Sequence, residues 1–137
     1  MAIKKLGFVI RTLPYKIEGS RLAMTHAISS QTVEIYLEDG DNVEPVVCFI
    51  GDGVLNCLKN QQAMKHYGLT SLGQHVKNSL LLDLNVLICK EDIDRLGIKE
   101  DALIMDAEDI GGETKAKIVP YSEIQKAMES VDHLLFC

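Results

Sequence analysis

The residues of this 137-residue chain best able to do covalent chemistry are its four cysteines, Cys48, Cys57, Cys89 and Cys137. They form no C-x-x-C pair and no C-x-x-C-H run, and their spacing suggests no zinc site, so no metal is expected. A cysteine works as a nucleophile through its thiolate, which a nearby cation or a helix N-terminus favours. Cys89 has the best position of the four. It ends the apolar run Asn85–Cys89 and precedes Lys90–Leu96, a short helical stretch closed by Gly97 at the C-cap position. Backbone N–H groups and the positive end of the helix dipole would face its sulfur, with Lys90 as a possible helper. Glu91 and Asp92 oppose this, because carboxylates close to the sulfur raise its pKa. The plainer reading of Cys89 is a strand-end cysteine packed as a small apolar group. Cys48 lies inside an apolar run and Cys57 in an apolar-spaced helical stretch, and both are expected to be core. Cys137 is a candidate for a flexible terminal sulfur carrier, an accident of sequence being the plainer alternative.

Other patterns are weaker. Gly51-Asp52-Gly53-Val54 reads as a strand-to-helix turn able to cradle an anion, but it lacks both G-x-G-x-x-G and a Walker lysine. The favoured reading is a tight turn in which glycine accepts positive φ and Asp52 caps a helix. His26, His66, His75 and His133 share no spacing; His66 and His75, around the second helical segment, are the candidates to approach Cys89 in space, surface or packing roles being the plainer reading. The formal charge is −6 with no basic stripe. Direct nucleic acid binding, which needs clustered cations to neutralise phosphates, is therefore not expected. A protein or small-molecule partner is the better expectation, and no organic cofactor is called for.

The elements that must position these residues follow from periodicity. An apolar share of 47% and a charged share of 25% are those of an ordinary globular protein. No run is long enough to cross a bilayer, and the N-terminus lacks the apolar stretch of a signal peptide. With free thiols this suggests a reducing compartment, the cytoplasm. Leu6–Ile10, Pro45–Ile50, Asn85–Cys89 and His133–Phe136 read as buried strands. A fourth short strand is expected between Ala102 and Met105, with Lys117–Val119 extending or following it. Ser20 reads as the cap of a helix carrying Leu22, Ala23, Ala27 and Ile28. Thr32–Leu37 is either an added strand or the helix running on. Helical stretches are expected from Val54, from Thr70 to Leu82 with Leu72, Val76, Ser79 and Leu80 inward, and from Tyr121 with Ile124, Ala127 and Met128 inward. The alternation predicts a single α/β domain over residues 1–137. Its core would be a mostly parallel sheet of about five strands, with helices on both faces. Chemistry then belongs at the carboxyl ends of the strands: the Arg11–Tyr15 loop, the Gly51–Val54 turn and Cys89.

Three segments carry a family resemblance. Phe8-Val9-Ile10-Arg11-Thr12-Leu13-Pro14-Tyr15 resembles an opening strand followed by an R-x-x-P-Y loop. Asp52-Gly53-Val54 with Gln61 seven residues after the valine resembles a D-G-V turn with its glutamine, Asn60 standing where glycine is usual. Ser130–Phe136 resembles a closing helix end and strand. Together they resemble the DsrE/DsrF/TusC sulfur-relay proteins, most closely the DsrF/TusC branch. The resemblance implies a DsrE/DsrF-like fold and a cytoplasmic subunit of a homo- or hetero-oligomeric relay that serves sulfur metabolism or tRNA thiolation. In the DsrE/TusD branch, a strand-end cysteine eight residues before a helix-closing glycine carries sulfur as a persulfide. Cys89 and Gly97 match that spacing, which implies a sulfurtransferase role for Cys89. In the DsrF/TusC branch that position is not reliably the working cysteine. The alternatives are a non-catalytic structural subunit of such a complex, or a small-anion-binding α/β domain using Gly51–Val54.

Overall fold

Apolar runs that do not alternate with polar residues pack as strands covered on both faces, and here they line up in parallel. The computed structural model describes residues 3–15, 18–32 and 42–137. Its strands are β1 (Ile3–Ile10), β2 (Asn42–Phe49), β3 (Asn85–Cys89), β4 (Lys117–Val119) and β5 (His133–Phe136). They form one sheet in the order β4-β3-β2-β1-β5, every neighbouring pair parallel. The register sets Phe8, Val47 and Val86 side by side on one face and Val9, Cys48 and Leu87 on the other. All six are buried. Pro45 precedes Val46, the first β2 residue to pair with β3, so its missing N–H breaks no bond of that ladder.

The helices are α1 (Gly19–Thr32), α2 (Ala63–Tyr67), α3 (Leu72–Leu81), α4 (Lys90–Leu96) and α5 (Tyr121–Glu129). The chain steps outward from β1 to β4, then returns to place β5 on the far side of β1. Right-handed crossovers therefore put α1 and α3 on one face of the sheet and α5 on the other. α1 packs on α3 and β2, and α5 packs on β3. α3 begins at Ser71, whose side chain accepts a hydrogen bond from Gln74 N–H at 3.1 Å, and it buries Leu72, Val76, Ser79 and Leu80, the face its periodicity predicts. α4 stops at Gly97, which takes φ 67° as a left-handed C-cap.

Four elements depart from expectation. Ser20 does not cap α1: it is buried as the helix's second residue, its hydroxyl 2.9 Å from that of Thr12. The stretch from Val54 is a 3-10 helix, Gly51–Cys57, and Asp52 caps nothing. Ala102–Met105 is not a strand of the sheet. Leu103 forms an isolated antiparallel bridge with Leu58, and Ile104 N–H donates to Cys57 O at 2.7 Å, so these apolar residues seal the 3-10 helix. β4 is Lys117–Val119 alone. β5 is an edge rather than a buried strand, with Leu135 and Phe136 48% and 52% exposed, because it pairs with β1 on one side only. The choice between strand and helix at Val33–Leu37 lies outside the described residues.

Two glycines in one turn have different reasons to be there. Gly51 takes φ 55° with open space around its Cα. A Cβ on Gly53 would stand 2.0 Å from Ile10 O, a backbone atom that cannot move aside alone. Gly53→Ala is expected to cost about 3 kcal/mol or more in urea unfolding, and Gly51→Ala about 1 kcal/mol. Equal costs would mean that the close approach at Gly53 is not what holds the turn.

Candidate functional site

Three segments meet at the carboxyl edge of the sheet: the Arg11–Tyr15 loop after β1, the 3-10 helix after β2, and the β3–α4 junction at Cys89. Cys89 is the N-cap residue of α4, extended at φ −71° and ψ 118°, and only 1% exposed. Burial pushes its thiol up to about 11. The Asp92 backbone N–H pulls the other way, while the Asp92 carboxylate and the charge of Glu91 push it further up. Asp92 has more than one task. Its carboxylate accepts Gly51 N–H at 2.7 Å and Arg95 Nε and Nη2 at 3.3 Å each, and Arg95 also lies 3.7 Å from Asp52. Burial alone would raise the Asp92 pKa, but these partners hold it below the usual carboxylate range.

Cys48 and Cys57 are no better placed for nucleophilic work. Burial pushes the Cys48 thiol up to about 12 and the Cys57 thiol higher still. Cys137 is half-buried, with its thiol raised by burial against the opposing charge of Arg11. Rather than hanging free, it extends the ladder, its N–H donating to Val9 O and its carbonyl accepting Arg11 N–H, both at 2.8 Å. The structure does not bring His66 or His75 to Cys89. His75 meets Arg21 at 3.1 Å, and His66 lies beside Tyr67. Among the described residues no group of three or more His, Cys, Asp or Glu is placed to hold a metal, and no helix is long and apolar enough to cross a membrane.

The two loop motifs read separately in the sequence turn out to be bonded to each other. Tyr15 donates its hydroxyl proton to Gln61 Oε1 and accepts Leu72 N–H at 2.9 Å. Gln61 Nε2 donates to Asn56 O at 2.8 Å and Leu58 O at 2.9 Å. Asn56, fully buried, donates through Nδ2 to Gly53 O at 2.8 Å and Thr12 O at 3.1 Å. Asn60 takes φ 62°, a left-handed conformation that asparagine tolerates better than most residues, which explains how it can stand where the motif has glycine. Tyr15 is also left-handed, at φ 65°, and its ring lies 5.7 Å from that of Tyr67. In the sequence Asp92 shows only as a nearby charge, and Arg95 and Tyr67 do not stand out. The spacing of Asp92 and Arg95, three apart on one helix, was the available signal for that pair.

Two outcomes test this geometry. Tyr15→Phe leaves Leu72 N–H without its acceptor and Gln61 Oε1 without its donor, so it should cost about 1–3 kcal/mol in denaturant unfolding; no change would mean that water replaces the hydroxyl. Asp92→Asn keeps an acceptor for Gly51 N–H but removes the charge beside the sulfur. The Cys89 thiol should then titrate lower than in the parent, read as faster alkylation near pH 9 in a chain retaining only that cysteine.

The sequence model described as the DsrE/DsrF-like family matches residues 4–136. A protein named TusC homolog, from Aliivibrio fischeri, is 30% identical over 109 residues, covering 79% of this chain and 85% of that protein. The crystal structure of the YchN protein from E. coli shares the fold, with a TM-score of 0.66 at 20% identity, over 98% of this chain and 99% of that one.

Proposed function

Because the chain belongs to the DsrE/DsrF-like family, we propose that it serves a sulfur relay as a docking subunit whose Cys89 thiol stays protonated. Sulfur relay, in sulfur metabolism or tRNA thiolation, is the setting that the family and the TusC homolog support, and with it membership of a multi-protein complex. The finer reading is that the chain works in the cytoplasm inside a homo- or hetero-oligomer and leaves the sulfur-carrying cysteine to another subunit.

The observation that carries this reading is the state of Cys89. It is 1% exposed, and burial, with the Asp92 and Glu91 carboxylates adding to it, pushes its pKa up to about 11. At pH 7 a thiol with that pKa is thiolate in roughly one molecule in ten thousand. Persulfide transfer needs that thiolate to attack the outer sulfur of a donor persulfide, breaking its S–S bond and releasing the donor as a thiolate. A sealed, protonated sulfur does this slowly. The small-anion alternative finds less support, because Gly51 N–H, an anion-facing donor of the turn, is already taken by Asp92.

Incubation with a persulfide donor, followed by intact-mass measurement, tests the proposal. The expected result is no gain of one sulfur at Cys89. A gain in the parent chain that disappears in Cys89→Ser would overturn the docking reading and restore Cys89 as a sulfur carrier.

A further inference from the structure

We propose that two clefts meeting at Gln61 form one groove, which docks an extended segment of a partner protein carrying an apolar residue on one side and lysine or arginine on the other. This deepens the docking-subunit reading and rests on it. The first cleft, about 470 Å³, is walled by Leu13, Pro14, Leu55 and Tyr67. Tyr67 is 62% exposed there, a large aromatic left in solvent beside half-buried apolar neighbours. The second cleft, about 760 Å³, has Gly73, Leu103 and Ile104 in its lining and Glu100, Asp101 and Asp106 around them. Both clefts share Leu58 and Gln61, so they adjoin at that loop.

Charge distinguishes the two ends. Lys77 in the second cleft is already matched by Asp109 at 2.6 Å. Among the described residues Glu100, Asp101 and Asp106 make no ion pair, and Lys59 is the one other cation of that lining. The acidic end suits a cationic side chain, and the apolar end suits an aliphatic or aromatic one. An extended chain, reaching about 3.3 Å further with each residue, can present a different side chain to each end. The divide between the clefts is fixed in advance: Gln61 is held by Tyr15, Asn56 and Leu58. A preformed groove of this kind lowers the ordering cost of binding.

The test uses the full chain, isotopically labelled, and a probe peptide, acetyl-Gly-Leu-Val-Gly-Arg-Lys-Gly-amide, with a control bearing Glu in place of Arg and Lys. Binding of the basic peptide should shift the amide signals of Leu55–Gln61 and Leu103–Asp106. The control should bind about tenfold more weakly or worse. The double variant Glu100→Lys/Asp101→Lys, on two exposed residues, should weaken the basic peptide by about tenfold, and Tyr67→Ala should weaken both peptides. No binding, equal binding of the two peptides to the parent chain, or shifts centred outside the groove would each overturn the proposal. If the peptide fails while Cys89 stays unreactive towards persulfide, the groove falls and the docking-subunit reading stands. If Cys89 takes up sulfur, that reading falls whatever the peptide does.

Discussion

There is no room for one carbon atom between Gly53 and the end of β1, and the candidate site depends on that closeness. A Cβ on Gly53 would meet Ile10 O at 2.0 Å and Ile10 C at 2.6 Å. Ile50 N–H donates to the same Ile10 carbonyl at 3.0 Å, and Gly53 N–H turns back to Ile50 O at 2.9 Å. The chain leaves β2 as a tight 3-10 helix pressed against the Arg11–Tyr15 loop. That pressure carries Asn56 onto Thr12 and Gly53, and carries Gln61 onto Tyr15. Together these bonds pair polar groups that burial would otherwise leave unsatisfied, although Asn56 Oδ1 still has no hydrogen-bond partner among the described residues.

The same turn quiets the thiol. Gly51 N–H points at Asp92, so the carboxylate must stay charged to hold both that donor and Arg95. A second negative charge beside it would be a thiolate on Cys89, in a place that water barely reaches. Like charges in contact in a buried site cannot both form cheaply, and the one already committed to hydrogen bonds keeps its charge. The helix N-terminus does favour the thiolate, through Asp92 N–H, but burial and the two carboxylates outweigh one backbone donor. A strand-end cysteine before a short helix is therefore not by itself a nucleophile. Burial decides the matter first, and the carboxylate three positions on adds to it.

How much of this was legible in the sequence differs by element. The three central strands were, because a strand buried on both faces shows as an unbroken apolar run. α3 was too, from its periodicity, and α4 from its closing glycine, Gly97. The edge status of β5 was not: Leu134, Leu135 and Phe136 are as apolar as a core strand, and only the strand order leaves them without a second neighbour. Nor was the role of Leu103 and Ile104, whose partners, Leu58 and Cys57, lie over forty residues away on a non-regular segment. At the site, the motif residues Tyr15 and Gln61 were visible one by one. Their mutual bond was not, because local sequence carries no record of contacts across 46 residues.

Two strained residues stand close to that bond, and their placement separates the two halves of the edge. Tyr15 and Asn60 both hold left-handed backbones without being glycine, a conformation that costs roughly 1 kcal/mol for most residues. Strain of this size persists only where surrounding contacts over-determine it. Here the Tyr15 hydroxyl makes two hydrogen bonds and the Gln61 amide nitrogen two more, enough to offset it. The outcome is a rigid, half-exposed rim beside exposed Tyr67, while the Cys89 end is rigid and sealed. A stiff open surface lowers the cost of holding a partner, whereas a stiff closed one keeps a sulfur from reacting. That contrast along a single sheet edge supports reading this chain as a subunit that holds partners in the relay rather than one that carries the sulfur.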